Sequence, residues 1–283
     1  MDNVPYAFVD STVGLLRNVK QLRDTFYLPQ PWENVMELYK NNVEEYDVFI
    51  SVNKSNPWNY STFKDSSDVS VSVSSLLEKD RKFIRCTEIG IVSDYPVSTK
   101  RNSTKREILA LISFFAAQFY GHNAKITIDT ISDADILTSV FKHLKNVATV
   151  EQLTVSHNGP ESEDFVIHML SNQKSLILEL REKWPINIVH QCVQSTNLVK
   201  LNLVMCPNVS FEIYQTAINR WRQTFGTNKF VINGLMPLSF EVFQQFPDVS
   251  SYTPDHVCFE NASFSHKLLL RRTPFGYDRI ETI

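Results

Sequence analysis

The chain has 283 residues, of which 43% are hydrophobic, and 28 lysines and arginines stand against 31 acids for a net charge of -3. That is enough apolar material for a substantial core in one or two domains. The charge balance lacks the basic excess of a nucleic-acid binder, and with 7 glycines and no dinucleotide fingerprint or P-loop, phosphate-cradling loops are excluded.

Residues 1–45 read as a helical module. Val4-Pro5 opens a helix in which Phe8, Val9, Val13, Leu15 and Leu16 recur at near-helical spacing. A second short helix is expected over residues 19–27, before Pro29. Pro31 then opens a third, with Trp32, Val35, Met36 and Tyr39 as its apolar stripe. No secretory signal is expected, because the start lacks a basic region and carries acids inside its apolar stretch. No run of about 18 apolar residues exists to span a membrane. Together with four dispersed cysteines (86, 192, 206 and 258) this points to the cytoplasm or nucleus.

Residues 46–82 read as a β-hairpin and linker. The stretch 46–52 alternates and is β-branched, 53–57 has turn chemistry, and 58–63 returns as a second strand. The Ser/Asp/Val-rich stretch 64–75 marks the expected domain boundary.

Residues 83–283 carry a degenerate repeat. Leu198-Val-Lys-Leu-Asn-Leu-Val-Met-Cys206 has the apolar-x-x-apolar-x-apolar-x-x-Cys/Asn skeleton of a leucine-rich repeat, and residues 150–158 give a second copy ending on Asn158. Weaker copies centre on residues 89, 126, 178, 230 and 257. Helical segments are expected after each strand, over about 103–120, 132–145, 161–170, 186–194, 211–225 and 238–246. Alternating strands and helices joined by short links imply parallel strands. The expected fold class is therefore α/β: a helical module, then an irregular leucine-rich-repeat-like solenoid with parallel strands inside the curve and helices outside.

The alternation sends Leu153/Val155, Leu178/Leu180 and Leu201/Leu203 to the core. Their neighbours Thr127, Asp129, Thr154, Ser156, Glu179, Arg181 and Asn202 become the candidate target-binding residues on the strand face. The basic pairs Lys100-Arg101, Lys105-Arg106 and Arg271-Arg272 read as solvated surface, the last of them placed after the final strand. The seven histidines lack metal-ligand spacing, and no nucleophile elbow is present. The expectation is a non-enzyme with no cofactor, no metal and no small-molecule substrate.

This plan resembles the F-box and F-box-associated families expanded in nematodes, including their FTH-like members. Val4-Pro5, the helix carrying Phe8, Val13 and Leu16, and Trp32 near the end of the module carry the likeness. The resemblance implies that Pro5, Phe8, Val13, Leu16 and Trp32 contact a Skp-type adaptor, which bridges to a cullin-type ubiquitin ligase. The chain would then be a substrate receptor holding an unidentified target protein, with neither nucleic acid nor membrane as partner. The alternative is a stand-alone repeat scaffold or inhibitor that neutralises a partner without ubiquitination.

Overall fold

The computed structural model describes residues 4–16, 29, 31–51, 58–64, 71–93, 101–119, 124–147, 149–205, 210–235 and 238–283. Eight α-helices and thirteen β-strands run among them, a mixed α/β architecture. The chain divides into two compact units: Met1–Thr127 with Ile131–Val150, and Ile128–Thr130 with Glu151–Ile283. The expected helix over 19–27, the turn over 53–57, Lys100 and Cys206 lie outside the described residues.

The first unit opens with α1 (Tyr6–Gly14), behind Pro5 at its N-cap, and α2 (Trp32–Asn42). Val9 and Val13 of α1 meet Val35, Met36 and Tyr39 of α2, and Val43 and Phe83 close this small core. The helices are tied to each other and to the unit. Tyr39 Oη donates to the Asp10 carbonyl at 3.3 Å, and Arg85 Nη2 donates to the Gly14 carbonyl at 2.9 Å.

The hairpin follows as expected: β1 (Glu44–Ser51) runs antiparallel to β2 (Trp58–Lys64), in register from Tyr46↔Lys64 to Ser51↔Asn59. On its other side β1 pairs in parallel with β3 (Ile84–Val92), reached through the short α3 (Val73–Leu77) and a 3-10 turn at Arg81–Phe83. With β4 (Arg101–Ser103) and β5 (Lys125–Ile128) the strand order is β5-β3-β1-β2-β4. α4 (Lys105–Ala117) starts at a capping box in which the Thr104 hydroxyl accepts from the Glu107 N–H and the Glu107 carboxylate accepts from the Thr104 N–H. Asp133 caps α5 (Ala134–Leu144) in the same sense, accepting from the Ile136 N–H.

The second unit alternates strand and helix: β6 (Gln152–Ser156), α6 (Pro160–Asn172), β7 (Leu176–Arg181), α7 (Ile186–Gln194), β8 (Leu198–Met205), α8 (Phe211–Gln223) and β9 (Val231–Leu235). The four strands are parallel neighbours in chain order, with each helix carrying a crossover. Leu153, Val155, Leu178, Leu180, Leu201, Leu203 and Ile232 are fully buried, facing apolar residues of the helices such as Phe165, Val189 and Ile218. Two asparagines tie successive turns together. The Asn197 amide donates to the Leu170 carbonyl and the Asn228 amide to the Thr196 carbonyl, both at 2.9 Å.

After β9 the pattern changes. A 3-10 turn at Phe240–Phe243 leads to β10 (Val249–Thr253), β11 (His256–Phe259), β12 (Leu268–Arg272) and β13 (Asp278–Thr282), an antiparallel meander whose last strand returns to pair with β9.

Four expectations are corrected by this architecture. The strand about Val257 is antiparallel to both its neighbours, because only Pro254 and Asp255 separate it from β10 and so short a link joins antiparallel strands alone. The helix expected at 238–246 shrinks to a 3-10 turn ahead of Pro247, whose ring and missing N–H oppose helix continuation. The two compact units do not divide at the stretch 64–75: β1 and β3 share a sheet, and Phe83 and Arg85 belong with the N-terminal helices in the first unit. The parallel run of the second unit also ends at β9, where the antiparallel β13 takes the next place, rather than extending to residue 283.

Glu44, at the head of β1, is a joint of the first unit. It accepts from Lys64 Nζ at 2.7 Å, from Tyr46 Oη at 2.6 Å and from Lys79 Nζ. Burial pushes its pKa up, but these hydrogen bonds outweigh it and hold the carboxyl at about 2. A carboxylate whose folded pKa is depressed stabilises the fold above its unfolded pKa and loses that effect as pH falls through the folded value. Discounted for the half-exposed lysines, the contribution is about 2 kcal/mol. Glu44→Gln should therefore be less stable than the parent by that amount in urea at pH 7, and the gap should close between about pH 4.5 and 2. A gap independent of pH would show that the carboxylate charge is not what binds this joint.

Candidate functional site

The strands of the second unit present a polar face opposite α6, α7 and α8. On β7, Glu179 and Arg181 alternate with the buried Leu178 and Leu180, so both project from that face. Arg181 Nε donates to Glu179 Oε1 at 2.8 Å, and its Nη1 donates to Asp129 Oδ1 at 3.3 Å. Asn202, the cross-strand partner of Glu179 on β8, donates to Glu179 Oε2 at 3.4 Å. Asp129, Glu179, Arg181 and Asn202 are thus brought together in one chain of contacts. Half-exposed ion pairs contribute only about 0–1 kcal/mol each. Their effect is to fix which way two carboxylates and one guanidinium point.

The remaining anticipated residues of this face are placed differently. Thr154 and Ser156 are 4% exposed each, so they are buried and not presented to a partner. The register sets Thr154 beside Glu179 and Ser156 beside Arg181, two short side chains next to two long ones. Thr127 is half-buried on β5 and belongs to the first unit.

Residues that the sequence pattern does not single out as binding residues complete the face. The Asn158 amide donates to the carbonyls of Asp129, at 3.1 Å, and Ser156, at 2.9 Å, while its N–H donates to Ser162 Oγ. In the sequence, Asn158 stands out only as the residue closing a repeat. Thr130 Oγ1 donates to Glu182 Oε1 at 2.6 Å, and Glu182 has φ +67, a left-handed conformation uncommon outside glycine. Nothing in the sequence signals a positive φ at a glutamate. Trp184 sits below, donating from Nε1 to the Arg181 carbonyl at 2.8 Å and meeting the His157 ring edge-on, while His157 Nε2 lies 2.9 Å from Glu163 Oε1.

At the N-terminus the anticipated adaptor residues split by burial. Phe8 is 56% exposed and meets the half-buried Trp32 edge-on, with ring centroids 6.3 Å apart. Leu16 and Pro5 are exposed, and Tyr6 and Leu15 enlarge the apolar surface of α1. Val13 is fully buried in the small core and is out of reach of any partner.

Cys192 is buried while His190 Nδ1 lies 2.7 Å from Thr216 Oγ1, and His256 Nδ1 lies 2.7 Å from Thr253 Oγ1. Cys86 is fully buried, and burial, followed by nearby Asp47, pushes its thiol well above the usual range. Lys105 of the basic cluster pairs with Asp133 and Asp135 at the start of α5. Among the described residues, no group of three His, Cys, Asp or Glu side chains is arranged to hold a metal, and no helix is long and apolar enough to cross a membrane. Set beside known proteins, the chain matches no family model, no curated protein and no solved structure.

Proposed function

We propose that the chain is a non-enzymatic protein-recognition module, the substrate receptor of a Skp/cullin-type ubiquitin ligase. In this reading α1 and α2 form a degenerate F-box that docks on the adaptor. The strand face about Glu179 and Arg181, in a leucine-rich-repeat-like second unit, holds the target protein. The observation that carries it is the two-sidedness of α1 and its C-terminal end: Val9 and Val13 are buried, while Tyr6, Phe8 and, just past the helix, Leu15 and Leu16 face solvent. Four large apolar side chains exposed within eleven residues are the kind of surface that marks an interaction site. The four parallel strands and the asparagine ties between their turns support the repeat-like reading.

A second reading is favoured by the bond from Arg85 to Gly14 and by Phe83 in the helical core. These fasten the helices onto the first unit, as a cap would be fastened. The chain would then be a stand-alone scaffold or inhibitor using the strand face alone.

Co-expression with a Skp-type adaptor separates the two. The wild-type chain should co-purify with the adaptor, and the double variant Phe8→Glu, Leu16→Glu should lose at least about tenfold in affinity with little change in melting temperature, since both side chains are exposed. Removing residues 1–45 is a poorer test, because it also removes Val43 from the core and Glu44 from its lysines. A well-folded wild-type chain that ignores the adaptor at micromolar concentration sinks the ligase reading and leaves the scaffold.

A further inference from the structure

Arg271 and Arg272 lie within β12, not beyond the last strand, and they line a cleft of about 380 Å³ at the turn between β12 and β13. Arg271 and Arg279 are direct cross-strand partners. Like charges so placed repel, and sheets ordinarily avoid the arrangement. Here a single carboxylate holds both: Glu281 Oε1 lies 2.9 Å from Arg271 Nη2, and Glu281 Oε2 lies 2.5 Å from Arg279 Nη2. The third arginine, Arg272, is taken by Asp278 at 3.1 Å. Three guanidiniums thus share two carboxylates, leaving one positive charge over. Arg279 Nε is moreover buried with no hydrogen-bond partner among the described residues. A buried donor left unmet costs free energy.

The rest of the cleft is built for an apolar body. Pro274, Phe275 and Tyr277 form one wall, and Phe275, at the tip of the turn, is 87% exposed. Asn233 and Gly234, which also line the cleft, lie at a bulge in β9. The register moves from Arg279↔Asn233 to Asp278↔Leu235, so Gly234 is the extra residue, at φ +81. Bulges of this kind re-aim side chains and favour glycine at the left-handed position. This one turns Asn233 and Arg279 to the cleft while Asp278 goes into the core.

We infer that the cleft is a binding site for a carboxylate carried on an apolar group, as presented by a peptide ending in a large apolar residue or by a free arylalkyl carboxylic acid. The planar guanidinium fork matches a carboxylate. One uncompensated positive charge suits a singly charged ligand, and the volume lies within the roughly 300–1,000 Å³ of small-ligand sites. This assignment stands apart from the adaptor and strand-face reading and holds or falls without it.

The test titrates the full chain, at fixed ionic strength, with a fluorescent pentapeptide ending in Gly-Phe with a free carboxylate, and with the same peptide amidated. The acid should bind at least about tenfold more tightly than the amide. Arg279→Gln and Arg271→Gln should each remove most of that preference, and Arg279→Lys, which keeps the charge but loses the fork, should retain some of it. Phe275→Ala, at a site too exposed to affect folding, should weaken binding severalfold. Lys142→Gln on α5 should change nothing. Competition by 3-phenylpropionate points to a free acid as the natural occupant, and its absence points to a peptide end. Binding of the amide as tight as that of the acid, no binding of either at about millimolar concentration, or undiminished binding by Arg279→Gln and Phe275→Ala would overturn the assignment.

Discussion

Replacing Arg220 by alanine should cost the chain about 3–5 kcal/mol, among the largest losses available to a single substitution here. Arg220 is 2% exposed on α8, and burial draws its pKa down to about 10. Its donors go to neutral acceptors. Nη1 reaches the Val193 carbonyl at 3.0 Å, Nη2 reaches the Leu198 carbonyl at 2.8 Å, and Asn228 Oδ1 accepts from both Nε and Nη2. The guanidinium also lies over the Phe230 ring, 4.3 Å from its centroid. One side chain therefore clamps the end of α7, the start of β8 and the approach to β9. Alanine takes the donors away from two buried carbonyls and from the half-buried Asn228 amide oxygen, and leaves a cavity beside them. Arg220→Met keeps the stem without the buried charge, and it should recover some of the loss because the desolvation cost is gone as well. Urea denaturation of both variants measures this. A loss below about 1 kcal/mol for the alanine variant would mean that the clamp is not structural.

Asp278→Ala should cost about 3–4 kcal/mol. Asp278 is fully buried at the head of β13 and accepts from Tyr214 Oη at 2.7 Å, from the Leu238 N–H at 3.1 Å and from Arg272 Nε at 3.1 Å. Burial, and then the bond to Asp278, raise the Tyr214 pKa well beyond its ordinary value, so the phenol stays a donor across the accessible pH range. Alanine strands three donors at once. Asn, which presents an amide to some of that set, should lose less. Tyr214→Phe should be costly in the parent and much cheaper in the Asp278→Ala background, because the bond to Asp278 is already gone. Additive losses in that double-mutant cycle would deny the coupling.

Much of the strand plan was legible because its signal is local. The alternation of Leu178-Glu179-Leu180-Arg181 sets which side is core, and burial of Leu178 and Leu180 follows from it. The capping box of Thr104 and Glu107 is a local signal of the same kind, since it involves residues three apart. What the pattern could not supply were facts that depend on the neighbouring strand. Thr154 and Ser156 occupy outward positions, yet they are buried, with the longer Glu179 and Arg181 beside them on the next strand. The phase of a strand says which way a side chain points, not what lies over it. The Arg271–Arg279 pairing joins residues on two strands and had no sequence signature, so two arginines in a row looked like solvated surface. The same limit explains the N-terminal helices. Their internal spacing marked Val9 and Val13, while their attachment through Arg85 is a contact made 71 residues further along the chain.

The return of β13 to β9 bears on how the chain is made. On a ribosome the parallel ladder β6–β9 emerges first, and one flank of β9 then has no partner until residues 278–282 have been synthesised. The meander β10–β12 is in the same position on its β12 side. Two unpaired strand flanks thus wait on a single five-residue segment, and unpaired flanks recruit strands from other chains. Nascent or clipped chains lacking β13 would be the aggregation-prone species. Late closure by one segment makes its integrity a quality checkpoint for the second unit.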